Sequence, residues 1–494
     1  MIEVQGIAGT YGREDRSLVR RMLDRLAHRG REVVQIHVDD GTVLGARCSS
    51  YECGDSPSAI AGADGLAVAS DSYIFNREFL RKTITPSTPP DASDAQLLLD
   101  AYRTVGARVF GYIDGAYAVV VLDRKGIIIA RDPYGLKPTY ISRDPKQGAF
   151  SSEMKSQIIS GSPFVPFPPG KMFVQGEGYR VIQRRRVPWA EPPLPHQHSM
   201  RVRELIIART IDCLGPTRAF NVLLSGGLDS SVVATAASLV ARKIQSVCVG
   251  MEGCEDLSMA RKVADALGTE HRELVFSVED MLNILGDVVY ASETFDYPLV
   301  RSCIPNLMAT RMFTDRSRVT LCGEGGDEVF AGYDSLLGIR SDQVLRAERL
   351  KLLRAGHLAG FQRVDRMTAA SSLDGRMPLM SNSIVEHGLS LGRNHLLGSR
   401  PEHNKLVLRK AFQDMLPAEV VWRRKRRFSD GAGSINALVR VSEETISDAD
   451  FERERKMLPN GRIRTKEELM YYRIFSEFFP GKSAGEAVGF TPQP

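Results

Sequence analysis

Leu223 to Ser231 read LLSGGLDSS, two glycines, an aspartate and three serines entered from an apolar run and left by a helix-forming stretch. The run Ala219-Phe220-Asn221-Val222-Leu223-Leu224 has the composition of a buried strand, and Val232 to Ala241 that of a helix. Glycine lets the backbone approach a phosphate closely in unusual φ/ψ. Gly226 and Gly227 therefore predict a loop whose N–H groups, with the helix N-terminus behind them, bind an anion. The spacing has no lysine of the kind that grips a γ-phosphate. The loop thus predicts a pyrophosphate cradle: AMP passes from ATP to a substrate and pyrophosphate leaves into the turn. An ordinary Gly-Gly turn capped by Ser225 or Asp229 is the alternative, and such turns rarely need all these residues together.

Working outward, the 494 residues are enough for two or three domains, and a 43% hydrophobic content supplies a core for each. Arg184 to His198 carry prolines at 188, 192, 193 and 195, which exclude helix and disfavour central strand, so the boundary is expected near residue 190. Domains of 1–190 and 191–494 follow. In the first, β-prone pieces (Val33–Val38, Leu66–Ala69, Ala116–Leu122, Gly126–Ala130) accompany helical stretches at Ser17–Ala27 and Asp94–Val105. In the second, strands at Val222–Leu224, Ser246–Gly250, Glu273–Phe276 and Arg318–Leu321 alternate with helices such as Asp256–Leu267. That order predicts a parallel sheet with its ligand site at the strand carboxyl ends. From about Tyr333 the pattern is helical, and the tail Gly481-Lys482-Ser483-Ala484-Gly485 is expected to be loose.

Composition narrows the function. Sixty-five Lys+Arg against 60 Asp+Glu leave a net charge of +5, which does not call for nucleic acid or a membrane surface. Seven cysteines, at 48, 53, 213, 248, 254, 303 and 322, lack metal-ligand pair spacing and fit reduced thiols in a cytoplasmic protein. No apolar run approaches a membrane span, and no export signal is indicated at the N-terminus.

A second turn follows Arg318–Leu321: Gly323-Glu324-Gly325-Gly326-Asp327-Glu328-Val329-Phe330-Ala331-Gly332-Tyr333. Carboxylates at the exit of a buried strand are costly unless they serve cations or chemistry. Asp229 and Asp327 are the pair expected to hold Mg2+, since that ion prefers carboxylate oxygens together with substrate phosphates. Glu328 alone reads as an acidic helix N-terminus.

With these two turns in place the chain resembles the glutamine-dependent asparagine synthetase family over nearly its whole length. Further motifs carry the resemblance in order: Asp256-Leu257, Leu267-Gly268-Thr269-Glu270-His271, Glu293-Thr294-Phe295-Asp296, Arg301 with Pro305, Val364-Asp365-Arg366-Met367, and Trp422 to Gly431. The resemblance implies an αββα N-terminal-nucleophile-like domain followed by an adenine-nucleotide α-hydrolase-like parallel-sheet synthetase domain with a helical C-terminal part. It also implies an ATP site built from Leu224, Ser225, Gly226, Gly227, Asp229, Ser230, Val249, Arg301 and Gly323. A homodimer is the assembly to be tested.

The N-terminal half resembles the family's glutaminase through Gly6-Ile7-Ala8-Gly9, His28-Arg29-Gly30, Asp114-Gly115, Arg131 to Pro138 and Ser152-Glu153-Met154-Lys155. Its nucleophile is missing. The family places a cysteine immediately before the Gly-Ile-x-Gly, and this chain has Gln5, whose amide cannot attack glutamine. The family's Asn-Gly-Glu, which stabilises the oxyanion and holds the substrate amine, corresponds to Asp71, Ser72 and Tyr73, and a carboxylate there is expected to repel an oxyanion. Asp94 and Arg47 remain at matching positions. The expectation is a domain kept as scaffold, without glutaminase activity.

The nitrogen acceptor is read from two residues. Family members that close a β-lactam carry tyrosine where Glu324 stands. Glu324 matches the asparagine-forming members, where a glutamate beside the adenylate suits capture and deprotonation of a small nitrogen nucleophile. Lys425, followed by Phe428-Ser429-Asp430-Gly431, matches the same branch and would neutralise charge at the α-phosphate. Arg423 to Arg427 lack the aromatic interleaving of a single-strand binder, so pairing with nearby acids or a solvated face is expected instead of nucleic acid. Cys322 reads as a small buried filler. One departure touches substrate identity: Asp374-Gly375-Arg376-Met377-Pro378-Leu379-Met380-Ser381 ends in serine where the family has aspartate, which either repacks a helix end or reshapes the acceptor pocket. The expected activity is adenylation of a small-molecule carboxylate, with aspartate as the first candidate, and its transfer to ammonia or an amine. The alternatives are a specialised-metabolite amide synthetase and a non-catalytic homologue.

Overall fold

The computed structural model describes every residue except 1–2, 31–32, 40, 51–58, 185–196, 215–218, 242, 315–316, 399–402, 425–434, 457, 459–461 and 493–494. It forms two compact units, one of Met1–Pro188 with Ser372–Asp374 and Phe479–Ala487, the other of the remainder. Most of the proline-rich segment near residue 190 lies outside the described residues.

The first unit contains two six-stranded antiparallel sheets. One runs Phe164–Pro166, Tyr140–Ser142, Gly148–Ser151, Glu3–Tyr11, Thr42–Ser50, Val33–Asp39. The other runs Gly178–Val181, Lys171–Val174, Gly126–Arg131, Gly115–Asp123, Leu66–Ile74, Ile60–Ala63. Strand periodicity explains the layering. In Gly115–Asp123, Ala118, Val120 and Leu122 face Ile7, Leu44 and Phe150 of the first sheet, and Val119 and Val121 face Leu97, Leu98 and Ala101 of helix Asp94–Val105. Helix Arg16–Asp24 covers the outer face of the first sheet through Leu18, Val19, Met22 and Leu23. The result is the expected αββα sandwich.

The second unit holds a five-stranded sheet in the order Glu270–Val275, Lys243–Gly250, Ala219–Leu223, Val319–Leu321, Asp374–Arg376. The pairings Ala219–Leu223 makes on both sides, and the pairing of Lys243–Gly250 with Glu270–Val275, are parallel. Strand Ala219–Leu223 leads into helix Leu228–Ser238 and strand Val319–Leu321 into helix Gly326–Phe330, so both glycine turns emerge at strand carboxyl ends, where a parallel sheet places its ligand site. Asp374–Arg376 is a strand that its sequence did not announce, being three residues long with a central glycine. From Tyr333 onward the other elements among the described residues are helices, apart from an isolated bridge between Leu397 and Asn404.

One expectation fails. The tail read as loose contains the helix Lys482–Ala487, because Ala484 and Ala487 are buried and pack on strand Phe164–Pro166 after Gly481 turns the chain at φ +99. Small residues that look like linker composition are here what lets a helix sit close to a sheet edge.

Candidate active site

The first loop is built around its own serines. Leu224 N donates to Val247 O (3.0 Å) of the neighbouring strand and carries the sheet to the edge of the turn. Ser225 Oγ then accepts from Gly227 N (3.3 Å) and lies 3.0 Å from Ser230 Oγ; Ser230 and Ser231 hydroxyls both donate to Gly227 O, at 3.1 and 2.7 Å. Gly226 has φ +66, and a Cβ there would fall 2.5 Å from Ala260 N, so glycine is required twice over. Helix Leu228–Ser238 begins at Gly227 with no side-chain cap, leaving its first N–H groups to face the cleft.

The second turn lies against the first. A Cβ on Gly323 would stand 2.5 Å from Ser230 N, and one on Gly326 would stand 2.5 Å from Asp229 Oδ1. This contact brings Asp229 and Asp327 onto a common cation, Lys405. Its Nζ is 2.6 Å from Asp327 Oδ1 and also pairs with Asp229 Oδ2. Lys405 occupies the left-handed region at φ +54, unfavourable for a residue with a Cβ, and is locked there by its neighbour. Asn404 Nδ2 donates to Gly332 O (2.6 Å), and Arg409 donates to the Asn404 carbonyl (2.6 Å) and side-chain oxygen (3.0 Å). Gly332 makes room for the ammonium: a Cβ there would lie 2.2 Å from Lys405 Cε. Two carboxylates converging on one cation have the donor chemistry of a Mg2+ site, with the ammonium as stand-in.

Basic side chains line the far wall of the cleft. Lys405, Arg409, Arg423 and Arg424 face Ser225, Gly227, Asp229 and Ser230 across it. Burial pulls the Arg409 guanidinium down to about 10, against the opposing pull of Asp229 and Asp327, so it stays a cation at neutral pH. Arg423 is aimed by Asp256 (2.6 Å) and Glu255 (3.3 Å), and Arg424 pairs with Asp334 (3.3 Å). These cations lie beside the start of helix Leu228–Ser238 and can contact an anion there, with Asp229, Asp327, Asp256, Glu255 and Asp334 offsetting part of their charge.

Of the remaining residues singled out from sequence, Gly323 abuts the loop, and Val249 is buried in strand Lys243–Gly250. Glu324 is paired with Arg363. Arg301 is not brought to the loop by any contact described: its Nε donates to Glu467 Oε1 (2.8 Å), and its guanidinium stacks on Tyr297. Lys425 and the Phe428–Gly431 stretch lie outside the described residues. Cys322 is buried. Asn404 and Lys405, which precede helix Leu406–Phe412, Arg409 within it, and Arg363, next to the Val364-Asp365-Arg366-Met367 motif, were missed because the groups they meet come from segments distant in sequence or from the backbone.

In the first unit, Gln5 occupies the position before Gly6. It is buried, and its Oε1 accepts the N–H of Ser72 at 3.0 Å. Asp71, fully buried, sits between Lys137 Nζ (3.0 Å) and Arg29 Nη1 (3.3 Å), which offset the repulsion expected of a bare carboxylate there. Arg29 also binds Glu153 (2.5 Å), and His28 Nε2 lies 2.9 Å from the same carboxylate.

Comparison with known proteins agrees with both halves. The asparagine synthase family model matches residues 201–358 and 339–492, and the glutamine amidotransferase domain model matches residues 4–162. A glutamine-hydrolysing asparagine synthetase of Zea mays is 29% identical over 99% of this chain and 88% of its own length. Those of Brassica oleracea and Arabidopsis thaliana are each 30% identical, over 97% and 98% of this chain and 87% and 89% of their own. The chain belongs to the asparagine synthetase family, carbon–nitrogen ligases that use ATP and form AMP and pyrophosphate.

Proposed function

We propose that the protein adenylates a small carboxylic acid, aspartate first among candidates, and transfers it to free ammonia or a small amine without hydrolysing glutamine. The observation that carries the synthetase half is the contact of the two glycine turns, which puts Asp229 and Asp327 on one cation beside an uncapped helix N-terminus. Asp229 and Asp327 would hold Mg2+, which when bound neutralises phosphate charge. The acid's carboxylate oxygen attacks the α-phosphorus, and the bond to the β-phosphate breaks. The N–H groups at the start of Leu228–Ser238 receive the departing pyrophosphate, and Lys405, Arg409 and Arg423 balance its charge. Lys425 would steady the α-phosphate. Nitrogen then attacks the acyl carbon, AMP leaves, and Glu324 takes the proton.

The loss of glutamine use is supported by Gln5. It brings no nucleophile, and its own carbonyl takes the Ser72 N–H at the position the family uses to stabilise an oxyanion. The domain would then serve as scaffold.

A second reading, an amide synthetase for a different acid, is favoured by Met380. Its Sδ lies where a Cβ on Gly325 would come within 2.4 Å, so the segment that departs from the family backs directly onto the Glu324 turn. Ser381 caps helix Asn382–Ser390 by accepting from Ile384 N (3.4 Å), which accounts for the serine without reference to substrate. The test is pyrophosphate release across a panel of acids with ammonia, hydroxylamine and small amines. Release with aspartate and ammonia supports the first reading, and release with another acid alone supports the second. ADP and orthophosphate as primary products would overturn both.

A further inference from the structure

Glu324 is constrained from two directions. Gly325 follows at φ +96 with Met380 Sδ against it, which fixes the backbone on that side. The side chain is fixed by another element: Arg363, in the first turn of helix Gly360–Ala370, donates from Nη2 to Glu324 Oε1. The pair is well enclosed, with 16% of the Arg363 side chain and 23% of that of Glu324 exposed. The helix start presses on the same stem, since a Cβ on Gly360 would stand 3.4 Å from Glu324 Cγ and 3.7 Å from Arg363 Nη2.

We propose that Arg363 is a positioning residue for amide formation: by binding Oε1 it leaves Oε2 of Glu324 to take the proton from the attacking nitrogen. This rests on the role proposed above for Glu324. Oε2 takes one proton from the incoming ammonium, the lone pair so freed forms the bond to the acyl carbon, and the acyl–oxygen bond to AMP breaks with its electron pair, and the nitrogen's second proton, on the phosphate. An unpinned carboxylate on a flexible stem would spend most of its time in other rotamers, and misplacement by an ångström is enough to slow proton transfer severely. Adenylation makes no use of this arrangement.

The consequence separates two nucleophiles. Ammonia arrives at neutral pH as ammonium and must be deprotonated before attack, whereas hydroxylamine arrives neutral. Arg363→Gln should therefore exchange pyrophosphate into ATP at the parental rate with an unchanged KM for the acid. Its ammonia-dependent kcat should fall by about tenfold or more, its hydroxylamine-dependent kcat should fall less, and Arg363→Lys should recover part of the loss. Glu324→Gln is assayed alongside, and circular dichroism checks that each variant is folded. Parental kcat with ammonia in Arg363→Gln, while Glu324→Gln is impaired, would show that the glutamate needs no pin. Equal loss of exchange and of both nucleophiles in Arg363→Gln, not rescued by lysine, would make the arginine a packing residue and overturn the proposal. If Glu324→Gln itself spares ammonia-dependent synthesis, the reading of Glu324 falls, and this inference with it.

Discussion

Replacing Lys405 with methionine removes the cation that stands between Asp229 and Asp327 while keeping the length of the stem. The ammonium lies 2.6 Å from Asp327, pairs also with Asp229, and belongs to a side chain only 3% exposed. Breaking a buried pair by deleting one partner costs about 3–5 kcal/mol, because the remaining charges are left uncompensated. Here two carboxylates would face each other. The backbone strain at φ +54 is common to both side chains and cancels. For a unit of this size each kcal/mol moves the midpoint by about 2–4 °C, so thermal unfolding of the synthetase unit should fall by on the order of 10 °C.

Magnesium supplies the discriminating arm. In the parent without nucleotide, Mg2+ meets carboxylates that already have a counter-ion and should raise the midpoint little. In Lys405→Met it meets two carboxylates that have lost that counter-ion. At about a hundredfold excess over its dissociation constant it would return about 2.7 kcal/mol, more than half of the loss. Differential scanning fluorimetry at fixed ionic strength, with Mg2+ titrated against Na+, measures both effects. A variant that melts with the parent, or one that is destabilised yet gains no more from Mg2+ than the parent does, would refute the claim that these carboxylates form a cation site.

Three further outcomes are expected. Glutamine should yield no protein-dependent glutamate at any pH, since Gln5 carries no nucleophile, and glutamate release would sink the scaffold reading. Glu324→Gln should retain acid-dependent pyrophosphate exchange and lose amide formation by about a hundredfold, while Lys425→Ala should lose both; equal loss of exchange in the two would refute that division of labour. His387 is half-buried beside His198 and Arg201 of helix His198–Leu214, with His395 also against His198, and desolvation, helped by the His198 and Arg201 charges, pulls its imidazole down to about 4. Between about pH 6.5 and 4 the unfolded chain takes up a proton that the folded chain refuses, so stability falls as pH falls through that window. Solvent screening of the part-exposed ring trims the effect to roughly 1–2 kcal/mol. His387→Leu should flatten the midpoint-against-pH curve there, and an unchanged slope would show that this histidine is not responsible.

What could be read from sequence and what could not divide along the range of the interaction. LLSGGLDSS was legible because its requirements are local: a positive φ at Gly226, hydroxyls returning to Gly227 O, and a helix beginning at the next residue. The αββα layering came from the family resemblance, the residues alone pointing only to a layered sheet-and-helix domain; strand Gly115–Asp123, apolar on both faces, fits the inner layer where both faces are covered. Other motifs turn out to be structural. Arg366 pairs with Glu293 at 2.7 Å, both buried, which joins two motifs seventy residues apart as one internal ion pair, and Asp132 accepts the N–H groups of Tyr134, Leu136 and Lys137 to shape its own loop. Lys405, Arg409 and Arg363 carry no such local mark. Their importance comes from a partner supplied by a distant turn, and the one intrinsic sign, a left-handed lysine, exists only once the chain has folded. A residue that costs backbone strain to place, and is then held by Asn404 and Arg409, is kept for what its ammonium does between Asp229 and Asp327. By this reasoning Lys405, which no motif announced, is a stronger candidate for mutagenesis than Arg301, whose guanidinium is already bound to Glu467.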